Sequence, residues 1–210
     1  MTITEPMTLL TDYLLGGLAL WLGLRLRQAG GARGRQTTLW AAAFFGLAAA
    51  SFAGGTYHGF TEHLGAAGQA ITWKLTLLSI GVVSLALACG ATVAAFDGFA
   101  RRFILALAAV KFVVYTIWIS AHDEFVYAIA DYAPSLLYVL ALQARAWGQG
   151  HASGPWIVFG ILVSFFAAGI QQSGLQLHEH FNHNDLYHVV QMVSVYLLYR
   201  GGKLLSAANQ

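Results

Sequence analysis

The chain has 210 residues, of which 58% are hydrophobic and 10% charged, with a mean hydropathy of +0.62. An ordinary soluble domain carries about 25% charged residues. The composition therefore excludes a disordered chain, a disulfide-stapled secreted domain and a typical soluble enzyme, and points to a polytopic membrane protein. The net charge of +2 comes with no basic run or stacking motif, so no nucleic-acid partner is expected. A single cysteine, Cys89, forms no intrachain disulfide.

Seven apolar stretches are legible in order: 7–27, 38–59, 71–96, 103–120, 125–146, 155–176 and 185–204. Each is long enough to cross about 30 Å of hydrocarbon at about 1.5 Å per residue. Turn signals separate most of them: Gly30-Gly31, Gly65 and Gly68, Asp97-Gly98, and Gly148 to Pro155. Spans four and five are divided only by Ser120 to Glu124. The start, MTITEPM, carries no positive charge and runs into a long apolar stretch, so it reads as a permanent first span rather than a cleaved signal. The expected fold is an all-α integral membrane seven-helix bundle, one domain over 1–210. Short connections make consecutive helices antiparallel neighbours.

The basic residues set the expected direction. Arg25, Arg27, Arg33, Arg35, Arg101, Arg102, Arg145, Arg200 and Lys203 all fall at one face of this topology, and Lys74 and Lys111 lie inside spans. The N-terminus is expected outside and the C-terminus in the cytoplasm, which requires an odd number of crossings. The polar chemistry then gathers outside. His58, His63, His122, His178, His180, His183 and His188 sit at the outer face, with Glu62, Asp123, Glu124, Glu179 and Asp185; only His151 is cytoplasmic. Asp12, Lys74 and Asp131 lie slightly deeper, where an ionisable group is costly in lipid and should face the bundle interior. Lys111 and Asp131, near mid-depth, are expected to pair. His63, His122, His178 and His151 read as interfacial histidines.

Span two ends Ser51-Phe-Ala-Gly-Gly-Thr-Tyr-His58-Gly-Phe-Thr-Glu62, and span seven opens His183-Asn-Asp-Leu-Tyr-His188. His58 and Glu62 share a helix face if the helix continues, with Ser51 on that face two turns deeper. Gly54 and Gly55 leave room for another helix. Imidazoles from His58, His183 and His188 would make an open tripod for zinc with water in the fourth position. Zinc brings the pKa of such a water towards 7, suiting attack on a lipid amide or ester. A hydrogen-bonded polar cap and a two-histidine haem site are the competing readings of these residues.

At these residues the chain resembles the CREST superfamily of seven-span membrane hydrolases, which includes the alkaline ceramidases and the PAQR receptors. That resemblance implies a zinc-holding heptahelical bundle in the cell membrane, acting on lipid amides, in a bacterial branch of the superfamily. It carries over His58 at the end of span two and the two histidines, His183 and His188, that open span seven. Here those two are five apart rather than four, Gly54 stands where the superfamily has a serine, and span three opens with Thr72, Lys74 and Thr76 and no acid. Ser51, a turn deeper, and Glu62, Asp185 or Glu179 are the side chains that can supply the hydrolytic chemistry. The expected partners are membrane lipids, one of them the substrate. The alternative is a non-enzymatic sensor, receptor or transporter using the same polar outer cavity. Polarity fades inward along the spans, which favours a pocket over a channel.

Overall fold

The computed structural model describes residues 2–30, 34–179 and 181–205. Gly31, Arg33 and His180, used above, lie outside them. The described residues are helical almost throughout: α1 (Pro6–Gly30), α2 (Arg35–Ala95), α3 (Gly98–Ala121), α4 (Phe125–Gly148), α5 (Ser153–Ser173) and α6 (His183–Leu205). There are thus six helices where seven separate ones were expected. Five of them, α1 to α5, are long and apolar enough to cross a membrane, as a membrane protein requires. The sixth, α6, carries His183, Asn184, Asp185, His188, Gln191, Arg200 and Lys203 and is not among these five.

The difference in number lies in α2, which spans 61 residues. Its backbone leaves helical geometry at Phe60 (φ −126°, ψ 18°) and at Gly65 (φ 60°, ψ 170°). Gly65 takes a left-handed φ that a side chain would strain against. The helix doubles back there. Tyr57 meets Trp73 with ring centroids 5.0 Å apart. Further along, a Cβ on Gly46 would stand 3.1 Å from Val83 Cγ2, and one on Gly90 would stand 2.9 Å from Trp40 Cδ1. The arms 35–59 and 66–95 therefore lie antiparallel against each other. The residues expected to separate spans two and three do make a turn, but one so tight that helical hydrogen bonding barely lapses.

The core is built by α1, both arms of α2, α4, α5 and α6 around Trp40, which is fully buried with Leu15, Leu22, Leu26, Ile157 and Ile161. Small residues let the helices approach, as in lipid, where packing rather than hydrophobic burial drives association. At the α5–α6 contact a Cβ on Gly160 would stand 2.9 Å from Leu198 Cγ, and one on Gly201 would collide with Ile157 Cγ1. Gly201→Ala is expected to cost about 1–3 kcal/mol through overpacking, read from detergent unfolding curves. An unchanged midpoint would mean that the two helices separate freely there.

The outlier is α3, which packs on α2 and scarcely on α4. Its Phe103, Leu107, Val110, Val113, Val114 and Ile117 are all exposed. Lys74 reaches from α2 to the carbonyl oxygens of Ile119 and His122, satisfying acceptors at the C-terminal end of α3. The expected pair forms as well: Lys111 Nζ stands 2.6 Å from Asp131 Oδ1.

Candidate functional site

The two ends of the bundle differ. One gathers the end of α1, the starts of α2 and α5, and the ends of α4 and α6, with Arg25, Arg27, Arg35, Arg145, Arg200 and Lys203. The other gathers the start of α1, the turn of α2 and the start of α6. At this second end lies a cavity of about 710 Å³. Its polar wall is Asp12 from α1, Ser51 and His58 from the first arm of α2, Thr76 from the second, Gln171 from α5, and Asn184 and His188 from α6. Trp73 and Phe125, 6.2 Å apart between ring centroids, also line it.

Asp12 reaches the cavity because α1 lies close against the first arm of α2. A Cβ on Gly55 would stand 2.8 Å from Tyr13 Cδ1 and 2.9 Å from Asp12 Cβ, and one on Gly59 would stand 2.8 Å from Leu9 Cδ2. These two glycines, four apart, form the small-residue contact on which α1 rests. Gly54 serves otherwise: a Cβ there would meet Asp12 Oδ2 at an ordinary 3.5 Å, and the residue lines the cavity.

The hydrogen bonds around His188 determine what it offers. The Thr11 hydroxyl lies 2.9 Å from the Met7 carbonyl oxygen, 3.2 Å from that of Thr8 and 2.9 Å from His188 Nδ1, so its one proton can go to a backbone carbonyl or to the imidazole. Where the imidazole takes it, Nδ1 accepts and Nε2–H donates to Asp12 Oδ1, 3.2 Å away. Where a carbonyl takes it, Nδ1–H donates to Thr11 Oγ1 and Nε2 turns its lone pair towards Asp12 Oδ1. Both residues are more than nine-tenths buried, at 6% and 5% exposure. In the second tautomer two acceptors face each other in a buried site, and either one proton or one cation must lie between them.

His58 is arranged in the same sense. Its Nδ1 donates to Glu5 Oε1 at 3.3 Å, which leaves Nε2 as the free lone pair. This hydrogen bond holds the Glu5 carboxyl below the ordinary glutamate value, against the opposing pull of its partial burial; the charge His58 carries when protonated, the Thr8 hydroxyl and the nearby His183 add to the lowering. Glu5 belongs to a short strap over the end of the bundle. There the Thr4 N–H donates to the Gly59 carbonyl at 3.0 Å, and His63 Nε2 donates to the Thr2 carbonyl at 2.9 Å.

The structure brings together only part of the expected site. His58, His188 and Ser51 line one cavity. His183 opens α6 half-buried and outside the cavity wall. Glu62 lies beyond the break at Phe60, exposed, with its carboxylate accepting from Thr2 Oγ1 at 3.5 Å, so the helix face it was expected to share with His58 is interrupted. Asp185 is 1% exposed and caps α6: its Oδ2 accepts the Asn182 N–H at 2.8 Å while Asn182 Oδ1 accepts the Asn184 N–H at 2.8 Å. That reciprocal arrangement is a capping box. Among the interfacial histidines, His122 stacks on Trp118 with ring centroids 4.1 Å apart.

The carboxylate that sequence reasoning did not assign to the site is Asp12, and with it Thr11 and Glu5. The signal was present, since an acid inside an apolar span requires a partner. Its partner is 176 positions away, and no spacing rule reaches that far.

Among the described residues no three His, Cys, Asp or Glu side chains stand close enough to enclose a metal ion. The Asp12–His188 pair nonetheless has the spacing of two ligands. Donors about 2.0–2.2 Å from a tetrahedral zinc stand roughly 3.3–3.6 Å apart, against 3.2 Å here. His58, and His188 in its Nδ1–H tautomer, also offer Nε2 while an oxygen acceptor holds Nδ1–H, the usual support for a metal-binding imidazole.

A comparison with curated proteins finds no match. A protein-family model does match, over residues 7–207, and its description is a family of unknown function (DUF6962). The match takes in all six helices and every residue of the cavity wall, and the chain belongs to this family.

Proposed function

We propose that the protein is a membrane-embedded, zinc-dependent hydrolase that acts on a lipid amide or ester at the extracytoplasmic face. The observation that carries the reading is the convergence of Asp12, Ser51, His58 and His188 on one polar cavity whose wall is shared with an apolar chamber. That chamber, of about 830 Å³, shares Leu47, Ile80, Phe125, Gln171 and Tyr187 with the polar cavity and is otherwise lined mostly by apolar side chains. A polar cavity beside an apolar one suits a substrate with a polar head and a hydrocarbon chain.

The topology that goes with it has seven crossings, with the two arms of α2 counted separately and α6 as the last. What supports this is the length of each arm, their antiparallel packing, and the concentration of basic residues at one end. The positive end lies in the cytoplasm, so the histidine end and the N-terminus are outside. This reading also sets the chain beside the CREST superfamily, which it resembles, with Asp12 of α1 in the ligand set instead of His183.

Asp12 Oδ1, His58 Nε2 and His188 Nε2 would hold the zinc, with His58 closing on the buried pair. Bound there, zinc supplies Lewis acidity to a carbonyl and acidifies a water towards neutral pH. The remaining work falls to the chain. Thr11 and Glu5 hold the two imidazoles in one tautomer. Asp12 Oδ2, at the cavity wall by Gly54, is the carboxylate oxygen left to take a proton from the attacking water. Ser51, Gln171 and Asn184 can hydrogen-bond the carbonyl or the leaving group. Asp185, as the α6 cap, contributes stability rather than chemistry, and Glu62 acts at most from outside the cavity.

The test is release of fatty acid from a panel of lipid amides and esters by detergent-purified protein. Cleavage that stops with chelator, returns with zinc and drops at least about 100-fold in Asp12→Ala is expected, as for loss of a metal ligand or its support. Zinc-replete protein that cleaves none of the panel, or cleavage unaffected by chelator, would overturn the reading.

A further inference from the structure

The end of the bundle opposite His58 and His188 holds a further cavity, of about 950 Å³. It lies between the start of α2, the ends of α2 and α4, and the starts of α5 and the last turn of α6. Its polar wall comprises Gln36, Gln143, Arg145, Gln149, His151 and Ser153. No carboxylate lines it, and the Arg145 guanidinium has no acidic partner among the described residues.

Two of these side chains have unmet hydrogen-bonding needs. Gln36 is 7% exposed and Gln143 is 4% exposed. Gln36 Nε2 has no acceptor and Gln143 Oε1 has no donor. Leaving a buried polar group unpaired costs about 1–3 kcal/mol, so two in one cavity wall call for a common explanation. The start of α2 adds to the demand. Its cap position is Gly34, which has no side chain to satisfy the first backbone N–H groups. Such a helix start favours an anion.

We infer that this cavity binds a phosphate ester that also carries a hydrogen-bond donor. Arg145 and the start of α2 take the phosphate, Gln36 donates to one of its oxygens, and a hydroxyl or ammonium on the esterified group donates to Gln143 Oε1. The headgroup of an anionic phospholipid and a free phosphate ester share this chemistry. The site is independent of the histidine cavity and stands or falls apart from the proposed hydrolysis.

The experiment uses the full chain purified in detergent. Native mass spectrometry and thermal shift are followed with phosphatidylglycerol, phosphatidylcholine and glycerol 3-phosphate as separate probes. Phosphatidylglycerol is expected to bind at least about 10-fold more tightly than phosphatidylcholine, with Arg145→Gln removing the difference by loss of a bidentate phosphate contact. Binding of glycerol 3-phosphate as tight as that of the lipid, and equally lost in Arg145→Gln, would support the site and name the free ester as its ligand. Arg145 is exposed, so its replacement leaves the fold intact. Gln36→Leu/Gln143→Leu separates a ligand site from a merely water-filled crevice: weakened phosphatidylglycerol binding supports the site. No preference among the probes, or a preference unchanged in both variants, overturns it.

Discussion

Lys111→Ala is expected to destabilise the protein by about 3 kcal/mol or more, the penalty for stripping one partner from a buried ion pair. Lys111 Nζ donates to Asp131 Oδ1 at 2.6 Å and to Ser84 Oγ at 3.0 Å, and Ser84 Oγ in turn donates to Ser135 Oγ at 2.9 Å. The burden is uneven. The Asp131 side chain is 4% exposed and that of Lys111 37%. Removing the lysine strands a carboxylate that already has one oxygen, Oδ2, without a partner. Removing the charge instead, in Asp131→Asn, still leaves the lysine amine an amide oxygen and Ser84 Oγ as acceptors, and so costs less. The double variant Lys111→Ala/Asp131→Asn should recover part of the loss, with a coupling of about 1–3 kcal/mol. Unfolding in mixed micelles measures all three. Additive effects would mean that the pair contributes nothing jointly.

The second large effect concerns whether zinc takes the place between Asp12 and His188. If it does, added metal at about 100 times its dissociation constant stabilises the folded protein by about 2.7 kcal/mol. Thermal unfolding should show that gain in the wild type and its absence in Asp12→Ala and His188→Ala. His183→Ala should keep it, because His183 stands outside the cavity wall. If it does not, zinc leaves all four proteins unmoved. The comparison also separates Asp12 from His183 as third ligand, which the spacing of the last-span histidines alone does not.

The helix ends were legible where single residues force them. Span four was expected at 103–120 and α3 is Gly98–Ala121; span five was expected at 125–146 and α4 is Phe125–Gly148. Even five residues between them suffice, since His122 takes an extended conformation and the helix cannot continue through it. The turn of α2 was legible as a position, through Gly65, but not as geometry, because only Phe60 and Gly65 leave helical angles. His58, Ser51 and His188 could be gathered from topology, which brings the end of one crossing beside the start of another. Three things stayed hidden. Phe60 ends the face that would have carried Glu62, and no residue type announces such a break. Asp185 reads as a site residue from its polarity, yet its three-residue spacing from Asn182 was the better guide, since it is that of a capping box. Asp12 faces His188 only because Gly55 and Gly59 let α1 settle on α2, a packing relation that neither helix reveals alone.

The most direct measurement is elemental analysis of the detergent-purified protein beside His188→Ala and Asp12→Ala. About one zinc per chain in the wild type, and close to none in either variant, is the result expected of a catalytic site with three protein ligands. A metal-free wild type that takes up no zinc on addition, or variants that retain it, would contradict a shared cation at Asp12, His58 and His188.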